Sequence, residues 1–233
     1  MRCLFASIAL IAACGEEGTV ARVSFAAEAH GAASGPLEID TPSGWHVRLE
    51  TARISIGPIY FRNIKPNAGG VEDEGRVIAQ VLAQFTVDAL DPTPRTIEGG
   101  GLGTSEPTLS AEVRLAEAAD GPIAEAFGIR SAIAQISGVA TKTSSVVSFE
   151  GSFRVLKTGS DFKVFRDHRL TGVPADIIPD QGGTLSVIVD ASHWVDSVVF
   201  DRLVSGSLDS PAALGQLRAG VVSRAAFSFN WSP

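Results

Sequence analysis

Four imidazoles, His30, His46, His168 and His193, are the side chains of this 233-residue chain best suited to a borderline or soft transition metal. His30 ends one alternating run of residues and His46 opens the next. An antiparallel hairpin across the Gly31–Gly44 connection would therefore bring both rings to one sheet edge. His193 follows a later run and adjoins Trp194, as His46 adjoins Trp45, which invites a common site. Two facts weigh against it. Neighbours on an extended strand face opposite sides, and a lone histidine near a strand end is usually a surface residue. Asp167-His168 and Ser192-His193 hold the residue types of a carboxylate-oriented base, but direct neighbours diverge on a strand and cannot build a triad. Trp45, Trp194 and Trp231 alternate with or adjoin aliphatic residues, which predicts core packing rather than a stacking platform for a ligand.

Other chemistries find little support. Gly99-Gly100-Gly101-Leu102-Gly103 lacks the spacing of a dinucleotide fingerprint and no helix follows it, so it reads as a flexible loop. The sequence carries no G-x-x-x-x-G-K-[ST], no G-x-S-x-G and no H-E-x-x-H. Glu72-Asp73-Glu74-Gly75 offers oxygen ligands without the alternating spacing that wraps calcium, so a solvated loop is expected. A net charge of -7 provides no basic surface for phosphates, which argues against nucleic acid as a partner. At 45% hydrophobic and 19% charged residues the chain should fold and bury a substantial core.

The amino end is distinctive. Arg2 precedes an apolar run of about ten residues, the length of a secretory signal core and too short to span a bilayer. The run closes on Ile11-Ala12-Ala13-Cys14-Gly15, which resembles the lipobox of bacterial lipoproteins: an aliphatic residue, two small residues, then the cysteine that is acylated and becomes the new amino terminus. The resemblance implies residues 1–13 as signal peptide, Cys14 as the lipidation site and residues 14–20 as a lipidated tether. Gly15, where inner-membrane lipoproteins typically carry Asp, favours the outer membrane. Acyl chains on one residue give stable anchoring without a membrane-spanning helix. Cys3 and Cys14 are the only cysteines and Met1 the only methionine. Cleavage before Cys14 thus leaves a body with no disulfide, no thiol catalysis, no Cys-bound zinc or iron–sulfur cluster and no thioether copper ligand.

What must position the histidines is a series of short strands. Period-two alternation runs through Val23, Phe25 and Ala27, then through Trp45, Val47 and Leu49, with a change of phase near Thr51 and Ala52 that suggests a bulge before Ile54 and Ile56. Leu109 to Leu115 alternates with Ser110, Glu112 and Arg114 on the opposite face. Val147 to Val155, Leu185 to Ala191 and Ala225 to Trp231 repeat the pattern. Arg76 to Leu90 fits helix and strand alike, and Thr86-Val87-Asp88 favours strand. A helix is predicted from Ser210 as N-cap through Pro211 and Leu217, with Arg218 in its last turn and Gly220 beyond its end, and a second helical turn between Gly121 and Arg130. Lys65 to Gly75 and Asp91 to Pro107 read as long surface loops. Eight to ten strands with glycine and proline at the joints predict an all-β fold: residues 21–233 as one antiparallel β-sandwich or barrel domain with one or two short helices.

The run Gly44-Trp45-His46-Val47-Arg48-Leu49, leading to Ile56-Gly57-Pro58-Ile59-Tyr60-Phe61, occurs with Asp190-Ala191-Ser192-His193-Trp194 and a terminal Phe227-Ser228-Phe229-Asn230-Trp231. Together they resemble a group of uncharacterised bacterial lipoproteins and, distantly, the periplasmic copper-binding proteins of methanobactin operons, β-sandwiches with histidine and modified-tryptophan ligation. The resemblance implies copper, with His46 or His193 as ligands and Trp45 or Trp194 as oxidised partners. It departs from that pattern in lacking a methionine in the body and a complete ligand set.

Three functions follow. The first is a non-enzymatic, lipid-anchored protein of the cell envelope that binds a ligand or metal, copper being the specific version. The second is a structural or assembly protein docking another envelope protein. The third is a glycan-active enzyme, which needs two converging carboxylates among Asp161, Asp176, Asp180 and Asp190.

Overall fold

The computed structural model describes residues 21–65, 75–115, 132–154, 169–203, 208 and 211–233. The expected signal peptide (1–13), Cys14 and the expected tether, the helical turn expected within 121–130, and the acidic run 72–74 lie outside the described residues. The strands are β1 (Arg22–Gly31), β2 (Leu37–Asp40), β3 (His46–Arg62), β4 (Val77–Val81), β5 (Phe85–Asp88), β6 (Arg95–Thr96) and β7 (Gly101–Thr104), then β8 (Ser110–Leu115), β9 (Ala132–Lys142), β10 (Ser145–Arg154), β11 (Arg169–Pro174), β12 (Thr184–Val189) and β13 (Phe227–Ser232). The helix α1 spans Pro211–Val221. Among the described residues no helix is long and apolar enough to cross a membrane.

This is the all-β class that the alternation predicts, in the form of one curled, mostly antiparallel sheet with the path β10-β9-β3-β4-β7-β1-β12-β13. The seventeen residues of β3 are its spine. They pair with β9 and β2 at the His46 end, with β5 in the middle, and with β8 and β4 at the Arg62 end. The change of phase at Thr51 is a register shift against β9 between Leu49 and Thr51. The curl brings β13 and the short turn before it beside β11, with Arg224 Nε of that turn donating to the Thr171 carbonyl at 2.9 Å, while Phe229 of β13 packs edge-on to Phe61 of β3. The concave face collects Trp45, Leu49, Ile54, Phe61, Leu185 and Trp194, all essentially without solvent contact. Trp231 is half-buried and meets Phe25 edge-on at 5.2 Å.

Several expectations need correction. The strands carrying His30 and His46 do not form a hairpin: β2 intervenes and pairs with β3, while β1 pairs in parallel with β12. The stretch 91–107 holds β6 and β7, so the glycine cluster is not a flexible loop. Gly101 lies against the Phe25 ring and Gly103 against Ala79, leaving no room for side chains. The helix runs through Gly220 rather than stopping before it, because a bare Cα at that position lets α1 settle on the carbonyls of His193 and Trp194.

Candidate functional site

The residue that gathers most chemistry is His46. Thr41-Pro42-Ser43-Gly44 turns the chain between β2 and β3. Gly44 takes φ +81° and donates its N–H to the Thr41 carbonyl at 2.9 Å, while Thr41 N–H donates to the Trp45 carbonyl at 2.8 Å. The buried Thr41 hydroxyl donates to that same carbonyl and accepts the Trp45 N–H, both at 3.1 Å. This tight turn fixes the ladder so that Asp40 faces His46 and Glu38 faces Arg48. Because Glu38 and Asp40 are two residues apart, both carboxylates lie on the outward face with His46.

His46 Nδ1 is 2.8 Å from Asp40 Oδ1, and Nε2 is 3.1 Å from Glu38 Oε2. Arg48 Nη1 stands 3.7 Å from the other Glu38 oxygen. Two acceptors on opposite edges of the ring are both satisfied only by the doubly protonated imidazolium. The hydrogen bond to Asp40 is the largest cause that raises the His46 pKa above 6.5. Desolvation acts the other way, and the charges of Asp40 and Glu38 add to the rise.

Behind the turn, Lys142 Nζ donates to the Ser43 carbonyl at 2.9 Å and lies 5.8 Å from the centre of the Trp45 ring. Trp45 Nε1 donates to Asp201 Oδ2 at 3.4 Å, and its ring packs on Phe200.

The other histidines stand apart from this cluster. His30 Nδ1 donates to the Gly31 carbonyl at 2.8 Å, a contact between sequence neighbours. His193 is exposed in the turn after β12, with Nδ1 2.8 Å from Asp196 Oδ2. His168 lies outside the described residues. Each Trp-His pair divides between core and solvent, the first at the start of β3 and the second in a turn: Trp45 and Trp194 are buried, His46 and His193 exposed. Trp194 Nε1 is buried without a hydrogen-bond partner. Among the described residues no group of three or more His, Cys, Asp or Glu side chains converges as a ready-made metal centre, since Asp40 and Glu38 address opposite edges of one ring.

Of the carboxylates considered for glycan chemistry, Asp161 is outside the described residues and Asp176 and Asp180 are exposed. Asp190 accepts the Ser192 N–H at 2.8 Å, a turn contact.

The alternation of β8 concealed one cluster. It sets Glu112 on the face opposite Ala111 and Val113, and Glu112 is nonetheless fully buried. Its Oε2 is 2.7 Å from Arg62 Nη2, and its Oε1 is 3.0 Å from both Arg114 Nε and Arg169 Nε. Arg114 also lies over the Tyr60 ring at 5.0 Å. The arginines come from three strands, so only the register of β3, β8 and β11 reveals the cluster.

Comparison of the sequence with protein-family models and with curated proteins finds no match. Among solved structures, the chain is similar to MbnP from Methylosinus trichosporium, at 13% sequence identity and a TM-score of 0.41, over 91% of this chain and 98% of that one.

Proposed function

We propose that this chain is a lipid-anchored protein of the cell envelope, outer membrane favoured, that binds rather than catalyses. The Asp40–His46–Glu38 cluster is its point of metal capture and copper the specific form. The anchoring half of the reading rests on Ile11-Ala12-Ala13-Cys14. The binding half is carried by one observation: an exposed imidazole nitrogen stands 3.1 Å from a carboxylate oxygen while the ring's other nitrogen is held by a second carboxylate.

In the neutral ring, Asp40 would accept the Nδ1 proton and fix the tautomer, leaving the Nε2 lone pair beside Glu38. A nitrogen and an oxygen donor so placed suit Cu(II), with water completing the coordination. A cation must displace the Nε2 proton, so capture strengthens as pH rises.

The test is titration of the Cys14→Ser protein with Cu(II) and Cu(I) in competition with a chelator of known affinity. Binding tighter than micromolar that is lost in His46→Ala supports the reading. Weaker binding, or affinity unchanged in His46→Ala, rejects it.

A further inference from the structure

We infer that the outward wall of β4, β7 and β1 rests on the lipid leaflet that holds the acylated amino end, with Leu82 and Leu102 as its apolar contacts. The inference builds on the anchoring reading above and adds an orientation to it.

Among the described residues four large hydrophobics are more than half exposed, Val146, Ile178, Leu82 and Leu102, the last two at 56% and 55%. Leu82 and Leu102 line one shallow cleft of about 360 Å³ with Gln80, Ala83 and Gly99–Gly101, and exposed Glu98 at its edge is the one charged residue of the lining, placed to stay with the headgroups. Register sets their direction. Leu102 faces Gln80 of β4 on one side and Ser24 of β1 on the other, and Leu82 follows Gln80 by two residues, so all four share the outward face. Arg22, opposite Thr104, is exposed on that same face, where a cation can reach lipid phosphate.

The wall is stiff from behind. Gly101 seats against the Phe25 ring and Gly103 against Ala79, so Leu102 is held outward on a strand with no slack.

A bilayer, rather than a protein, is the occupant because of where the undescribed chain joins. β1 begins at Arg22, and Leu102 is in register only two residues further along. Cys14 precedes Ala21 by seven residues, which span at most ~25 Å when fully extended. An acylated Cys14 therefore keeps the start of β1, and with it this wall, within ~25 Å of the leaflet. Exposed apolar side chains at that distance lose water contact by lying in the interface. The net charge of -7 makes neutral headgroups the matching surface. His46 opens β3 thirteen residues before Ile59, where β3 meets β4, so the capture point sits at the opposite end of that strand from the wall.

The experiment uses the full chain expressed in a lipoprotein-processing bacterium and reconstituted in phosphatidylcholine vesicles. An environment-sensitive fluorophore is placed by Leu82→Cys, Leu102→Cys or, as control, the exposed Val146→Cys on β10. The acylated Cys14 sulfur is consumed in its thioether, so each label is unique. Labels at 82 and 102 shifted to the blue, quenched by lipid-borne spin labels and protected several-fold from iodide relative to 146, support the proposal. Equal iodide access at all three positions, on protein that still floats with vesicles and carries acyl mass on Cys14, overturns docking and leaves anchoring intact. Absence of acyl mass overturns both. Protection of 82 and 102 in lipid-free Cys14→Ser protein would assign the wall to a second copy and also overturn the proposal.

Discussion

Oδ1 of Asp40 lies 2.8 Å from Nδ1 of His46, its partner across the β2–β3 ladder. This relationship makes the imidazole a stronger base than a free one, chiefly through the hydrogen bond itself. His46 is therefore expected to titrate above 6.5, and Asp40→Asn to lower that midpoint towards the ordinary value, as read from the ring resonances by NMR. The sign of the stability effect follows. A histidine whose folded pKa is raised contributes fully below its unfolded value and loses that contribution as pH climbs through the folded value. The melting-temperature difference between the native protein and Asp40→Asn should be largest below pH 6.5 and fade above it. A difference that grows with pH would contradict the arrangement.

Glu112 is a different kind of ionised group, buried among Arg62, Arg114 and Arg169. Desolvating it is costly, and three guanidinium groups offset that cost only while the carboxylate is present. Glu112→Gln removes the negative partner and leaves cations facing one another. The expected loss is about 3–5 kcal/mol in urea unfolding. Arg114 is half exposed, so Arg114→Ala should cost no more than about 1 kcal/mol, the range of solvent-screened pairs. Equal losses in the two variants would mean that burial does not set the energetics here.

Legibility in the sequence tracked how far each strand announces itself by its own side chains. β1, β3, β10, β12 and β13 alternate between a more buried and a more exposed face, and β8 alternates in residue type though it is buried on both, so their existence could be read directly, as could the bulge at Thr51. β7 could not, because Gly101 and Gly103 show no side chain on the buried face. β2 offers only Leu37 and Ile39. The parallel pairing of β1 with β12 joins residues some 158 positions apart, and no local signal carries it. The candidate site divides in the same way. His46 and its outward direction were legible from the Trp-His neighbours, but the carboxylates opposite it depend on a register set by the Thr41–Gly44 turn. The burial of Glu112 was not legible, because alternation reports which side of a strand a residue takes, not what then covers that side.

Asp91 closes the turn after β5. Its Oδ1 accepts the Thr93 N–H at 3.0 Å and its Oδ2 the Arg95 Nη2 at 2.9 Å. The side-chain hydrogen bond with Thr93 is the leading cause that lowers its pKa from 3.8 to about 2, joined by the Thr93 backbone and Arg95. A carboxylate depressed in the folded state stabilises above its unfolded pKa, and that contribution is lost as pH falls through the folded value. The melting-temperature advantage of the native protein over Asp91→Asn should hold steady above pH 4 and disappear between there and about pH 2. A constant advantage across that window would show that ionisation plays no part in the turn.

Two glycines of α1 should respond to the same substitution with opposite sign. Nothing lies within 4 Å of a side chain built at Gly215, which is exposed, so Gly215→Ala simply relieves the conformational entropy that glycine loses in a helix. About 0.5–1 kcal/mol of added stability is expected. At Gly220 a methyl group would run into the carbonyl oxygens of Trp194 and His193, backbone atoms held by the turn after β12. The intrinsic gain is then outweighed by overpacking, and Gly220→Ala should destabilise by about 1–3 kcal/mol. Displacing that turn also moves the ring of His193, so its NMR signals should shift in Gly220→Ala and stay unchanged in Gly215→Ala. Stabilisation by both substitutions would separate α1 from the turn and remove the reason offered for glycine at position 220.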